Sequence, residues 1–133
     1  MSQENVEIVR RVYEIWNGPG PPEALLPLIA QDFEYVNPSN AVEPGVRRGH
    51  EGFLATQASL DAAFDEYEHE PGEMVDLGDR VLVWTTFRAH ATTGELRYDQ
   101  AEAQIWTLRD GLITRHEWFH DRAEALEAAG LRD

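Results

Sequence analysis

The hydrophobic period of this chain changes once, near its middle, and that change limits the folds open to it. Up to about residue 65 the apolar residues recur mainly at helical spacing, apart from one short alternating stretch at 32–38; from residue 80 to 120 they alternate. Val9, Val12, Tyr13 and Trp16 fall at i, i+3, i+4 and i+7, one face of an amphipathic helix over 3–17. Ser2 stands at its N-cap position, with Glu4 in the first turn. "NGPGPP" at 17–22 ends that helix. A short second helix starts at Pro22, where proline suits the first turn, and runs through Leu25, Leu26, Leu28 and Ile29 with a kink at Pro27. "DFEYVNP" at 32–38 alternates and reads as a short strand closed by Pro38, followed by a turn-rich loop over 39–52. A third helix covers about 51–65, with Phe53, Leu60 and Phe64 on one side.

The second half reads as strands. Residues 68–77 form a weak one, interrupted by Pro71-Gly72 and closed by a turn at Gly78-Asp79. Strong strands at 80–90 and 95–108 flank "ATTG", Asp110-Gly111 makes a hairpin turn, and 112–120 is the last strand. "DRAEALEAAGLRD" is a short closing helix that ends near Gly130. Helices followed by a run of antiparallel strands make an α+β fold in which helices cover one face of a curved sheet. No repeat or linker divides the chain, so residues 1–133 are expected to form a single domain.

The strand over 80–90 is apolar on both faces, with Val81, Val83, Thr85, Phe87 and Ala89 opposite Leu82, Trp84, Thr86, Arg88 and His90. A sheet with one face on its own helices must cover the other, most simply with a second copy of itself. Ala101, Ala103, Ile105 and Thr107, with Ile113 and Phe119, make the outer patch that predicts a homodimer.

Composition removes several classes of function. The chain has no cysteine, hence no disulfide, thiolate nucleophile or thiolate metal site. Its 25 acidic residues against 11 basic ones give a formal charge of −14, which repels nucleic-acid phosphates and anionic membranes. No apolar run approaches the ~20 residues of a membrane span. "MSQENVEIVRR" has no apolar core of a signal peptide, so a cytoplasmic location is expected.

The stretch "ITRHEWFHD" at 113–121 puts His116, Trp118 and His120 on one strand face. At i and i+4 of a strand the two histidines lie about 13 Å apart at ~3.3 Å per residue, too far to share an ion whose nitrogen ligands sit at about 2.1 Å. There is no H-x-x-x-H helix, phosphate-cradling glycine loop or G-x-S-x-G elbow, so neither metal nor cofactor is expected. His116 is the acid–base candidate, because imidazole titrates near neutrality. His120 falls at the rim, while His50, His69 and His90 lie in loops or at strand ends and carry no signal. What faces His116 depends on the hairpin: a two-residue turn pairs it with Ile105, a three-residue turn with Gln104.

"ENVEIVRRVYEIWN", "RRGHEGF", "DLGDRVLV", "IWTLRDGLITRHEWF" and "DRAEALEAAG" together resemble the SnoaL-like proteins of the nuclear transport factor two-like superfamily. The resemblance implies a cone, in which a bent antiparallel sheet wraps a pocket closed by helices. The superfamily holds polyketide cyclases, ketosteroid isomerases, limonene-epoxide hydrolases and binding proteins, so fold alone does not deliver function. The isomerases' aspartate base before a proline corresponds to Asn37, which cannot abstract a proton; their two oxyanion donors correspond to positions near Val12 and Gln104. The hydrolases' Tyr-x-Asn pair is reproduced by Tyr35 and Asn37, but their charged partners fall at about Thr85, Phe87 and Trp118 and are lost.

The resemblance also favours the Gln104 register, which sets His116, Trp118 and His120 beside Gln104, Glu102 and Gln100 on the pocket side. It implies a pocket walled by Val12, Trp16, Phe53, Phe64, Phe87, Trp106 and Trp118. There Tyr35 and Asn37 would orient a ligand oxygen, and Glu102 would hold the tautomer of His116. Three functions follow: binding of a small oxygenated apolar molecule, a cofactor-independent isomerase, cyclase or hydrolase acting through His116, or a dimeric structural or accessory subunit with a filled pocket.

Overall fold

The structure is a computed structural model that describes residues 2–37, 45–92 and 94–131, with the backbone alone for Ser2. The capping side chain of Ser2, Pro38 and the loop at 39–44 therefore lie outside the described residues. Helix α1 (Ser2–Trp16) is followed by a short 3₁₀ helix (Pro22–Leu28), strands β1 (Ile29–Asn37) and β2 (Gly45–Arg48), and helix α2 (Gly49–Ala63). Strands β3 (Phe64–Asp76), β4 (Arg80–Ala91), β5 (Arg97–Arg109) and β6 (Leu112–Phe119) precede the closing helix α3 (Arg122–Ala128). The six strands form one sheet in the order β2-β1-β6-β5-β4-β3, with the helices packed on it, a cone-shaped α+β fold as the period change predicts.

Local pattern misses four features. The sheet is mixed, because β1 runs parallel to β6 while every other pairing is antiparallel. Ile29 opens β1 rather than closing the second helix, since it pairs with Ile113 across the sheet. The expected loop contains β2, which pairs with the end of β1 through Tyr35–Arg47 and Asn37–Gly45. The weak third strand is a full 13 residues that begins at Phe64, with register shifts near Glu66 and across Pro71–Met74 that absorb the Pro-Gly interruption.

The β5–β6 hairpin decides which side chains meet. Its turn has two residues, Asp110 and Gly111, at φ 53° and 81°, the left-handed pair that a type I′ turn requires. Arg109 pairs with Leu112 and Leu108 with Ile113, but beyond Thr107 the register slips by one at Thr114. The Thr114 hydroxyl donates to the Thr107 carbonyl at 3.2 Å and pins the bulge. His116 consequently lies opposite Trp106 and Trp118 opposite Gln104. Neither register expected from the turn alone is found, yet the bulge restores the parity that puts His116, Trp118, Gln104 and Glu102 on one face.

Two apolar clusters flank the sheet. The inner one joins Val9, Val12 and Tyr13 of α1 to Phe33, Phe53, Val81, Val83 and Trp106. The outer one is covered by α3: Ala125, Leu126 and Ala129 pack on Leu82, Ala103 and Ile105. Part of the patch read as a dimer surface is therefore closed within the chain. The bulge also turns Ile113 inward, where it is fully buried in the inner cluster. Among the described residues no helix is long and apolar enough to cross a membrane.

Candidate functional site

A cavity of about 420 Å³ opens between α2 and the inner face of the sheet. Tyr35 and Asn37 reach it from β1, His69 from β3, Phe87 from β4, Gln100, Glu102 and Gln104 from β5, and Trp118 and His120 from β6. Thr56, Ser59 and Leu60 of α2, together with Phe64, Tyr98 and Arg47, complete the wall. Alternation explains the choice: on each strand the residues two apart share the concave face.

Of the site residues expected from sequence, Tyr35, Asn37, Phe64, Phe87, Glu102, Gln104 and Trp118 meet at this cavity. Val12, Phe53 and Trp106 do not; they belong to the inner core. Trp16 borders a different cleft beside Asn17 and Gln57, and its indole nitrogen donates to Gln57 Oε1 at 2.8 Å. His116 sits behind the wall rather than in it. Its ring stacks on Trp106 at 3.8 Å with 6° between planes, and Tyr35 meets it edge-on at 5.1 Å.

The polar groups of the wall are held by partners behind it. Trp106 Nε1 donates to the Tyr13 hydroxyl at 2.9 Å, and that hydroxyl donates to Gln104 Oε1. Gln104 Nε2 meets His69 Nδ1 at 3.4 Å. Tyr13, the residue after Val12, thus spends its hydroxyl on Gln104. Asn37 accepts from Trp118 Nε1 at 2.7 Å, which joins β1 to β6 at the cavity wall. Arg47 donates to Thr56 and Ser59, each at 3.4 Å.

Electrostatics distinguish the titratable groups. Burial pushes the Glu102 carboxyl up to about 7, so it exchanges its proton near neutral pH. Burial holds His69 down at about 3. Burial, reinforced by the nearby His69, holds His116 well below the usual imidazole range, leaving it neutral. Burial raises the Tyr35 phenol, as does the charge of Glu102, so it stays a hydroxyl that can donate. Among the described residues no group of three or more His, Asp or Glu side chains converges as metal ligands would.

Residues 9–116 match the family model of the SnoaL-like domain, four-fifths of the chain's length. The chain belongs to the SnoaL-like domain family. No curated protein matches it. Among solved structures this SnoaL-like domain is similar to an NTF2-like protein from Burkholderia xenovorans at 27% identity and TM-score 0.76, covering 97% of each chain. TerC, co-crystallised with polyporic acid, is 25% identical with TM-score 0.77, over 96% of this chain and 98% of that one. Bal32a, from a soil-derived mobile gene cassette, shares the fold at TM-score 0.80 with 18% identity over 96% of each chain.

Sequence reasoning passed over His69, a closely held side chain of the wall in this SnoaL-like domain. Trp16 stacks on its ring at 3.9 Å and 14°, and Phe87 lies at 4.9 Å. Its backbone is gripped on both sides by Asn17, whose Oδ1 accepts from His69 N at 3.0 Å and whose Nδ2 donates to His69 O at 2.8 Å. The signal was split between "NGPGPP", which looks like a simple stop, and "EHEPG", which looks like a broken strand. Nothing local links the two segments.

Proposed function

We propose that this SnoaL-like domain binds a small, largely apolar, oxygen-bearing molecule in its cavity, and that Glu102 is the group that exchanges a proton with it. The observation that carries the reading is the pairing of an aromatic-walled cavity of about 420 Å³ with a half-buried carboxyl poised at about 7. Apolar walls with a few placed polar groups are what a small-molecule site needs, and a proton-transfer group works best when its pKa lies near the working pH. The chain contains neither lysine nor cysteine, so covalent catalysis by a side-chain amine or thiol is not available to it. The Tyr35 hydroxyl, which makes no hydrogen bond to a described residue, is suited to orienting a ligand oxygen beside that carboxyl. The co-crystallisation of the similar TerC with polyporic acid supports a ligand of organic, oxygen-rich character.

One other group competes for the acid–base role. His116 as the acid–base group would need to reach the ligand past Tyr35 and to gain a proton against its burial. Binding without turnover is the second reading, favoured by Asn37, an amide already engaged by Trp118 where relatives of the isomerase type carry a base. A thermal-shift panel of apolar ketones, enones and quinones tests the first step: a hit raises the melting temperature in proportion to its concentration over Kd. For any substrate so found, Glu102→Gln should keep binding within a few-fold and cut turnover by about 10²-fold or more. No hit across the panel overturns the binding reading, and turnover unchanged in Glu102→Gln leaves Glu102 a wall residue.

A further inference from the structure

One chain of hydrogen bonds behind the cavity has a fixed direction and an open end. It starts from a group with no choice. An indole nitrogen only donates, so Trp106 Nε1, 2.9 Å from the Tyr13 oxygen, makes that oxygen an acceptor and sends the hydroxyl proton elsewhere. The proton goes to Gln104 Oε1. The amide is thereby oriented, and its Nε2, which only donates, faces His69 Nδ1 at 3.4 Å. Nδ1 must accept. A neutral imidazole that accepts at Nδ1 carries its proton on Nε2. His69 Nε2 is buried and has no hydrogen-bond partner among the described residues.

An unmet buried N–H is a cost that folded proteins seldom leave standing without a use for it. Here the cost is imposed by construction: the Asn17 clamp, the Trp16 stack and Phe87 hold the ring against the cavity. We infer that His69, fixed as its Nε2–H tautomer by the Trp106–Tyr13–Gln104 relay, donates a hydrogen bond to an acceptor oxygen of the bound molecule, so that the site selects carbonyl or enolate compounds over hydrocarbons of the same shape. The inference rests on the cavity reading above and narrows its ligand class. A neutral donor also suits an oxygen that gains negative charge as a neighbouring group removes a proton, because it stabilises the charge without itself carrying one. Its burial keeps the ring neutral over the range in which Glu102 titrates.

Two measurements test it. In protein labelled with ¹⁵N-histidine, long-range ¹H–¹⁵N spectra without any ligand should show His69 neutral and protonated on Nε2 from pH 5 to 8. An Nδ1–H tautomer or an imidazolium at His69 overturns the relay, whatever the protein binds. The second uses 2-acetonaphthone, ¹³C-labelled at its carbonyl, and 2-isopropenylnaphthalene, which has nearly the same shape and no oxygen. The ketone should bind the wild type more tightly, with its infrared carbonyl band shifted to lower frequency than in hydrocarbon solvent. His69→Phe, which keeps the ring stack, should narrow that preference by about two- to tenfold, the scale of one neutral hydrogen bond, and remove most of the band shift. Both compounds binding alike, with the band unshifted, overturns the donor assignment while the cavity reading stands. Neither compound binding overturns both.

Discussion

Glu102 and His69 titrate in opposite senses on folding, and stability should record both. A carboxyl raised to about 7 binds its proton more tightly folded than unfolded, so its contribution is fully present below the ordinary carboxyl range and is lost as pH climbs through about 7. An imidazole lowered to about 3 contributes above the ordinary imidazole range and loses that contribution as pH falls towards 3. Replacing Glu102 by Gln removes only the first. Between pH 5 and pH 8 the wild type should therefore lose about 2 kcal/mol relative to Glu102→Gln, read from urea unfolding at the two pH values. A difference that does not change with pH would mean that the carboxyl ionises as freely folded as unfolded. At this scale some residues of the site were legible in the sequence and others were hidden. Tyr35, Asn37, Glu102, Gln104 and Trp118 were legible because strand parity, in the register that the family resemblance favours, puts them on one face. His116 shares the parity but not the cavity, because the bulge at Thr114 sets it against Trp106.

Elements with a strong period were legible, and those made by pairing were not. α1 shows its buried face in the spacing of Val9, Val12 and Tyr13, whereas the four residues of β2 have no pattern and exist only by pairing with β1. That junction makes its own prediction. Gly52, on α2, sits so close to β2 that a Cβ there would lie 2.8 Å from the Arg47 carbonyl carbon. Alanine in a helix interior is favoured over glycine by about 1 kcal/mol, but overpacking against backbone costs about 1–3 kcal/mol. The second effect should win, since the obstructing atom is main chain and cannot rotate aside. Gly52→Ala should lower the urea midpoint; a variant more stable than the parent would show that α2 can move off β2 freely. At the other end of the chain, Asp121 caps α3 by accepting from Ala123 N at 2.8 Å. Asp121→Ala should cost about 1 kcal/mol in the same assay.

At the scale of the whole molecule, the question is what covers the convex face of the sheet. The strand pattern pointed to a second copy because Ala103 and Ile105 are apolar and cannot stay wet; the cover on those two residues and Leu82 is α3. Sequence could not choose between the two covers, since a short amphipathic helix and a neighbouring molecule satisfy the same apolar surface. A homodimer through this face would have to be built on what α3 leaves, chiefly Trp84, Thr86, Ala101 and Phe119, and its sign is a light-scattering mass of twice the 15.1 kDa chain. Part of that remainder is already engaged, with the Arg122 guanidinium 4.1 Å from the centre of the Trp84 ring. Leu126 is the test of the arrangement, because it is the large apolar side chain of α3 in the outer cluster. Leu126→Asp would place a carboxylate against Leu82 and Ile105 with no partner for it, at a cost of roughly 2–5 kcal/mol. The helix should release rather than bury the charge, so the variant should melt lower and its mass should rise with concentration above that of the parent at equal concentration. A variant that keeps both the parent's melting temperature and its mass would mean that α3 is not what seals the outer face.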